Sequence, residues 1–530
     1  MAASKIRVGI FAQPGKLPRW IARAIDSIVR SEFAEVVLYA EVRPVAEPSM
    51  PWLFRLYRAI DFRLFGTGLD PLQPTELNLP PGADRLWLRP GDDGGIHPED
   101  AARIKDCRLD VALWLIDTPA RAGLAALARH GMWELFVGAV SAASVLAGFW
   151  EVMLARPQTI SGIRVPAAGA TGLTIYRSSA RTFPYSFRRN QENVLRKTAE
   201  FAYRKLRDLH YDGAAAIAKF NDAMEADDGS PLPSSPPGNV RMTLLLIGLL
   251  SRIAQRAIQK LLFVDQWVLA YKFGGDADAM PSPSGFTHLL PPRDRFWADP
   301  FPVEKDGHYF VFFEELMFAT GKGHISVIEI DAAGRWTSPV KVLEEKHHLS
   351  YPFVFEWDGV HYMIPESSEK RCVELYRCVR FPDQWALDRV LIDNIRAVDA
   401  TLCAIDGLWW MFVNVSPEGV EIYDELHIYY ADSPLGPWLP HQRNPVVSDM
   451  MRARPAGRLF ERNGRWLRPA QICAPIYGAG LSINRIIEIT PEKFVEEEIQ
   501  QIYAETETIG IHTWNEAGLL KVCDYFVRRL

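Results

Sequence analysis

Phe301-Pro-Val-Glu-Lys-Asp306-Gly307-His-Tyr-Phe-Val-Phe-Phe313 is the stretch that decides how this chain is read. Two apolar, β-rich runs flank an Asp-Gly. Both central residues of a two-residue hairpin turn need positive φ, which Asp and Gly tolerate best. The pattern returns as Phe353-Val-Phe-Glu-Trp-Asp358-Gly359-Val-His-Tyr-Met-Ile364 and as Leu402-Cys-Ala-Ile-Asp406-Gly407-Leu-Trp-Trp-Met-Phe-Val413. It returns once more as Arg458-Leu-Phe-Glu-Arg-Asn463-Gly464-Arg-Trp-Leu467. The turns recur every 48 to 57 residues, a period that predicts a repeat architecture and here a β-propeller. A further unit, Gly510-Ile-His512-Thr-Trp-Asn515 followed by Leu519-Leu-Lys-Val-Cys-Asp524, lacks the Asp-Gly turn. With it, five blades are expected over residues 265–530.

Each unit opens with an apolar strand holding polar residues that a dry core would not want: Trp297-Ala-Asp299, Ser350-Tyr351, Val398-Asp399, Arg452-Ala-Arg454 and Ile511-His512. The innermost strand of each blade lines the central channel, so Asp299, Tyr351, Asp399, Arg454 and His512 are expected to converge. The second strands add Glu315, Glu366, Asn414 and Gln471, each seven or eight residues past its turn Gly. Taken singly, an Asp-Pro after Trp caps a strand entry and Asp399 bonds a neighbouring backbone. Their recurrence at equivalent repeat positions favours a shared polar pocket over those local roles.

A chain of 530 residues, 48% hydrophobic and 23% charged, is expected to form two or three globular domains. A net charge of −6 gives no reason to expect nucleic acid. The six Cys form no CxxC pair and no metal-spaced cluster, and are expected to be reduced, buried thiols. The first residues enter a strand with no signal-peptide core, and no run is long enough to span a membrane.

Residues 1–225 read as an α/β domain. Ile6-Arg-Val-Gly-Ile-Phe-Ala12 is a buried-strand pattern, 18–31 has helical periodicity, and Glu35-Val-Val-Leu-Tyr-Ala-Glu-Val42 is a second strand, which implies a parallel, doubly wound sheet. Strands at 109–116 and 132–138 and a helix at 119–129 continue it. The first turn, Ala12-Gln-Pro-Gly-Lys16, is not GxGxxG, so a dinucleotide site is unsupported. Asp110-Val-Ala-Leu-Trp-Leu-Ile116, Ala128-Arg-His-Gly-Met-Trp133, Gly148-Phe-Trp-Glu-Val152 and Ser161-Gly-Ile-Arg-Val165 resemble the Rossmann-like fold of folate-dependent N-formyltransferases. That family carries Asn-x-His where this chain has Glu134 and Phe136. Phe cannot transfer a proton, so the resemblance implies a scaffold without its chemistry, with Glu134 a solvent-facing strand-end residue.

Residues 226–239 are a Pro/Ser/Gly tract and read as a linker. A helix at 240–263 follows, with Arg252, Arg256 and Lys260 at i, i+4, i+8 and a broad apolar remainder. Such a helix lies in a membrane interface or packs between domains with its basic stripe in water.

Two resemblances cover the propeller. Five blades with an acidic first blade resemble the furanosidase-type glycoside hydrolases. In these a first-blade Asp is the general base, a third-blade Asp tunes pKa, and a fourth-blade Glu is the acid. Asp299 and Asp399 match the first two, whereas the fourth blade offers Arg454, which cannot donate that proton. A closer resemblance rests on Phe296-Trp-Ala-Asp-Pro-Phe301, Phe312-Phe-Glu-Glu-Leu316, Gly321-Lys-Gly-His-Ile-Ser326 and His348-Leu-Ser-Tyr-Pro-Phe-Val-Phe-Glu356. Tyr362-Met-Ile-Pro-Glu-Ser367, Gly436-Pro-Trp438 and Ala453-Arg-Pro-Ala-Gly457 extend it. These blocks are similar to the N-terminal domain of the glucosamine inositolphosphorylceramide transferases, with one departure, Ile472 where an Asp is expected after Arg468-Pro-Ala-Gln471.

The resemblance implies a carbohydrate-active protein of envelope polysaccharide or glycolipid biosynthesis, a glycosyltransferase with its site in the propeller channel. A furanosidase-like hydrolase and a non-catalytic glycan-binding protein are the alternatives. Asp299, Asp399, Glu366 and Glu315 are the catalytic candidates, while Tyr351, Arg454, Gln471, His512, Trp297 and Arg468 are candidates for substrate binding. No metal or cofactor is expected, and a nucleotide-sugar is the expected donor. The expected partners are a sugar or glycolipid and, through 240–263, the inner face of the membrane, with a cytoplasmic location.

Overall fold

The computed structural model describes residues 4–43, 50–66, 68, 70–77, 79–89, 96–118, 123, 126–167, 170–217, 231–274, 279–416, 420–505 and 508–529. The chain divides into two compact units, Met1–Ile253 and Ala254–Leu530.

In the first unit, strands β1 (Ile6–Ala12), β2 (Ala34–Val42), β3 (Asp84–Leu88), β4 (Val111–Trp114), β5 (Met132–Val137), β6 (Gln158–Ala167) and β7 (Ala170–Arg181) form one sheet. Their order is β7-β6-β5-β4-β1-β2-β3. β3, β2, β1, β4 and β5 run parallel. The β6–β7 hairpin then adds two antiparallel strands at the β5 edge. The sheet is therefore mixed, not wholly parallel as the βαβ pattern implied. The helices are α1 (Arg19–Val29), α2 (Trp52–Phe65), α3 (Pro98–Asp106), α4 (Phe149–Met153), α5 (Phe187–Thr198), α6 (Phe201–Asp212) and α7 (Asn239–Leu262). Most of the helix expected at 119–129 lies outside the described residues, as do 226–230 of the linker.

Glu134 does not face solvent. It is buried and forms a bidentate pair with Arg164 on the neighbouring strand, at 3.0 and 3.1 Å. The guanidinium also lies 5.7 Å from the centre of the Phe136 ring, so this strand end is closed by an ion pair over an aromatic face.

The second unit is a five-bladed β-propeller. Blade 1 runs Arg295–Lys305, His308–Met317, Lys322–Ile330 and Val340–Leu343 from the axis outward. Blades 2 and 3 start with Ser350–Trp357 and Ala397–Ile405 and repeat the pattern, and blade 4 starts with Phe460–Arg462. All four repeated turns have both residues at positive φ: Asp306 +52° and Gly307 +79°, Asp358 +51° and Gly359 +71°, Asp406 +52° and Gly407 +82°, Asn463 +50° and Gly464 +69°. That is the geometry that matches strand twist in a tight hairpin.

Blade 5 is assembled from both ends of the unit. Its inner strands are Gly510–Ala517 and Leu520–Arg529, and its third strand is Val264–Phe273. The last two pair antiparallel from Val264 with Arg529 to Phe273 with Leu520, which closes the ring and leaves no free edge between first and last blades. Four Cys are buried as expected, whereas Cys107 and Cys378 are half-exposed. Among the described residues no helix is long and apolar enough to cross a membrane.

If this ladder closes the ring, its two strands open together. Native-state hydrogen exchange should give the amides of Val268, Leu269 and Ala270 the same opening free energy as those of Val522, Cys523 and Tyr525. Much faster exchange in 268–270 alone would show that the closing strand frays independently.

Candidate active site

In blades 1, 2, 3 and 5 the first strand is broken where its polar residue stands, whereas Arg454 lies ahead of the first strand of blade 4. Pairing with the second strand skips between Ala298 and Phe301, Ser350 and Phe353, Val398 and Thr401, and Ile511 and Trp514. In the first three blades the extra residue takes a left-handed φ: Asp299 +54°, Tyr351 +44° and Asp399 +58°. A bulge re-aims a side chain that a regular strand would send into the sheet packing. Non-glycine residues hold such φ values only where the surroundings fix them.

For Asp299, Asp524 on the second strand of blade 5 supplies that fixing. Its carboxylate accepts the backbone N–H groups of Asp299 (2.9 Å), His512 (3.1 Å) and Thr513 (3.0 Å). His512 lies between two carboxylates, Nδ1 2.9 Å from Asp524 and Nε2 3.1 Å from Asp299. Burial alone would lower its pKa, but Asp524 and Asp299 overcome that and raise it to about 10. Asp299 is desolvated too, yet the His512 imidazolium and the Thr513 hydroxyl (2.8 Å) hold its carboxyl below the ordinary value. Both of these donors reach Oδ1, and no described residue donates to Oδ2.

Donor atoms of Asp299, His512 and Asp524 lie within 4.8 Å of one another, a spacing that a small cation would span. The imidazolium already sits between the two carboxylates and offsets one of their two charges, and Asp524 already receives three N–H groups.

On the other side of the axis, Arg454 donates to Asp399 through Nε (2.6 Å) and Nη2 (3.4 Å), and Gln471 Nε2 joins at 3.1 Å. Arg454 also donates to the Ile422 carbonyl and lies over the Tyr477 ring at 4.8 Å. Its charge is thus matched by Asp399 instead of standing free. Burial raises the Asp399 carboxyl to about 6 against the opposing pull of Arg454, with Asp299 adding to the rise. Tyr477 packs on His512 at 5.2 Å and bridges the two halves of the cluster.

The register separates the two adjacent glutamates of blade 1. Glu314 stands opposite Ala298, as Glu366 stands opposite Ser350 and Asn414 opposite Val398. Glu314 is buried, and desolvation together with Asp299, Glu366 and Asp399 raises its pKa well above the ordinary value. His348 Nε2 lies 3.3 Å from it. Glu315, the residue expected from sequence, points to the other face of the strand, because alternate residues do. There it collects Arg295, Trp297, His324 and Ser326 at 2.8–3.1 Å, and those bonds outweigh burial and lower its pKa to about 2.

Trp297 and Arg468 also stand away from the cluster. The Trp297 indole donates to Glu315 and packs on Phe313. Arg468 is fully buried in a bidentate pair with Glu496 at 2.9 and 2.7 Å, facing the outer strand. Tyr351 is fully buried, and its hydroxyl ties blade 3 to blade 4 through Thr401 (2.8 Å) and the Gly457 N–H (2.7 Å). Glu366 accepts from Ser350 (3.0 Å) and the Ser368 N–H (2.7 Å) and lies near enough to act on Glu314 and Asp399. Asn414 is fully buried, and neither end of its amide has a partner among the described residues. It is equipped to donate to and accept from a hydroxyl.

Residues 290–522 match the family model described as "Glucosamine inositolphosphorylceramide transferase 1, N-terminal". The propeller resembles that domain. Glucosamine inositolphosphorylceramide transferase 1 of Oryza sativa subsp. japonica is 39% identical over 224 residues, covering 42% of this chain and 30% of that protein. Its counterpart in Arabidopsis thaliana is 34% identical over 224 residues, covering 42% and 29%. The chain thus spans less than a third of the length of the curated relatives it matches. Among solved structures, Zg3597, a family 117 glycoside hydrolase from Zobellia galactanivorans, is 12% identical. It covers 49% of this chain and 90% of its own, with a TM-score of 0.33. A GH43 protein, BlXynB, from Bacillus licheniformis is 17% identical, covering 42% and 44%, with a TM-score of 0.30. Scores this low add nothing to the strand topology.

Glu315 is an anchor by this geometry, and its linkage to pH has a definite sign. A carboxyl whose pKa is depressed from 4.5 to about 2 contributes stability that is present above pH 4.5 and lost as pH falls through about 2. Glu315→Gln should lower propeller stability at neutral pH by on the order of 3 kcal/mol. The gap from the parent, followed by denaturant melts, should narrow on acidification. A constant gap would show that the charge of Glu315 is not what stabilises.

Proposed function

We propose that the propeller houses the active site of a glycosyltransferase of glycolipid or envelope polysaccharide synthesis. The observation that carries this reading is the match of residues 290–522 to transferase N-terminal domains, joined to carboxyls of opposed protonation around one axis. Environments that push two neighbouring carboxyls apart in pKa mark out a base and an acid.

In this reading Asp299, kept ionised by His512, takes the proton of the acceptor hydroxyl at Oδ2. The acceptor oxygen bonds to the anomeric carbon of the donor as the bond to the leaving oxygen breaks. Glu314, kept protonated by burial, gives its proton to that oxygen. Asn414 and Glu366 hold sugar hydroxyls, and Arg454 positions Asp399. A nucleotide-sugar is the donor class to assay and a glycolipid the acceptor class. Because Arg454 is already paired with Asp399, it gives an anionic leaving group little support.

The same pair of carboxyls supports a second reading, an inverting glycoside hydrolase in which Asp299 activates water. We further read the first unit as a formyltransferase-type scaffold without transfer chemistry, a reading supported by Phe136 and by the Glu134–Arg164 pair.

Asp299→Asn and Glu314→Gln should each lower turnover of nucleotide-sugar plus acceptor by about 100- to 10,000-fold, with sugar affinity in calorimetry changed only a few-fold. If both variants leave transfer intact, the assignment fails. If they abolish only glycan hydrolysis, the hydrolase reading replaces it. Full turnover by Glu315→Ala, corrected for its folded fraction, would separate the two adjacent glutamates.

Asp399 gives a pH dependence. Its pKa of about 6 means that the ion pair with Arg454 is lost as pH falls through that value. The acid limb of the rate profile should have a midpoint near 6 and should disappear in Asp399→Asn, which is slower at every pH. A limb unchanged in that variant would assign the titration elsewhere.

A further inference from the structure

Two helices of the first unit turn apolar side chains outward. On α2, Trp52, Leu56, Ile60 and Leu64 stand four residues apart, one above the other, and all are exposed, Trp52 by 57%. On the part of α7 that belongs to this unit, Val240, Leu244, Ile247 and Leu250 follow at helical spacing and are exposed too, Val240 by 80%. The helices adjoin, since Leu53 N–H donates to Asn239 Oδ1 at 3.2 Å. Their inner faces are engaged: Phe54, Tyr57, Met242 and Leu249 are buried in the core.

Polarity on α7 is the reverse of what a water-facing helix shows. Arg252, expected to line a solvent stripe, turns inward and donates to the Val152 carbonyl at 2.9 Å. Arg241 lies over the Trp150 ring at 4.6 Å. Val240, Leu244, Ile247 and Leu250 face out instead.

Charge indicates what covers them. α7 contains Arg241, Arg252, Arg256 and Lys260 and no Asp or Glu. α2 contains Arg55, Arg58 and Arg63 against one acid, Asp61, which is buried and accepts the Arg188 N–H at 2.6 Å. The exposed charges beside the apolar stripes, Arg55, Arg63 and Arg241, are all positive in a chain of net charge −6. Pairing of this face with a second copy would set like charges together. Apolar stripes with Trp at one end and cations alongside match the interface of an anionic bilayer, where acyl chains take the leucines and headgroups take the arginines.

We propose that α2 and the first half of α7 seat the protein on an anionic membrane surface. This stands independently of the reading of the propeller. The full chain should sediment with vesicles of phosphatidylcholine mixed with phosphatidylglycerol, far less with phosphatidylcholine alone, and less as ionic strength rises. Leu56→Glu with Ile60→Glu, and separately Leu244→Glu with Ile247→Glu, should each cut binding at least tenfold. All four positions are exposed, so circular dichroism should be unchanged. Arg55→Glu with Arg63→Glu should remove the preference for phosphatidylglycerol. The proposal is overturned if the parent chain sediments with neither vesicle or if the variants bind as it does. It is equally overturned if the parent is a lipid-free dimer that these substitutions make monomeric.

Discussion

Asp524 accepts three backbone N–H groups from two different strands and faces the His512 ring, whose other nitrogen faces Asp299. Removing His512 leaves two buried carboxylates without their cation, which costs several kcal/mol, and removing Asp524 orphans three buried N–H groups. The triad therefore does two things at once. It pins the bulges of blades 1 and 5, the first and last of the ring, and it keeps the Asp299 carboxyl ionised. Strain at Asp299, with its left-handed φ, is tolerated because Asp524 holds the same residue's amide.

The opposite side of the axis is built from the same materials arranged differently. Asp399 also sits on a left-handed bulge, but its partners are the Arg454 guanidinium and the Gln471 amide. Its pKa rises where that of Asp299 falls. The pKa of Glu314 is raised as well, by burial together with Asp299, Glu366 and Asp399. Three carboxyls around one axis thus differ in proton affinity because of what each touches, and this is the property that acid–base chemistry on a sugar requires.

Much of the fold was legible because a two-residue turn restricts its residues so tightly. The four Asp-Gly and Asn-Gly pairs all have both φ values positive, and the polar residues ahead of the first three, Asp299, Tyr351 and Asp399, sit on bulges at the axis. Glu314 was legible too: it lies seven residues past Gly307, as Glu366, Asn414 and Gln471 lie seven past theirs, while Glu315 breaks that spacing. Asp524 was not, since nothing in the local pattern tells that the residue opposite a bulge will gather its amides. The β6–β7 hairpin was missed because it lacks an Asp-Gly or Asn-Gly turn, and the sheet was read from its first βαβ unit alone. On α7, periodicity separated polar from apolar faces but could not say which one the core would take. Arg252 went inward because a backbone carbonyl awaited it there.

The claim at the centre of this account is that His512 is an imidazolium fixed between two carboxylates. Nitrogen-15 resonances of its ring, assigned by difference against His512→Gln and followed from about pH 6 to about pH 9 in the full chain, test it directly. Both nitrogens should stay protonated across that range, consistent with a pKa of about 10. A ring that loses its second proton near the ordinary value of 6.5 would contradict the account.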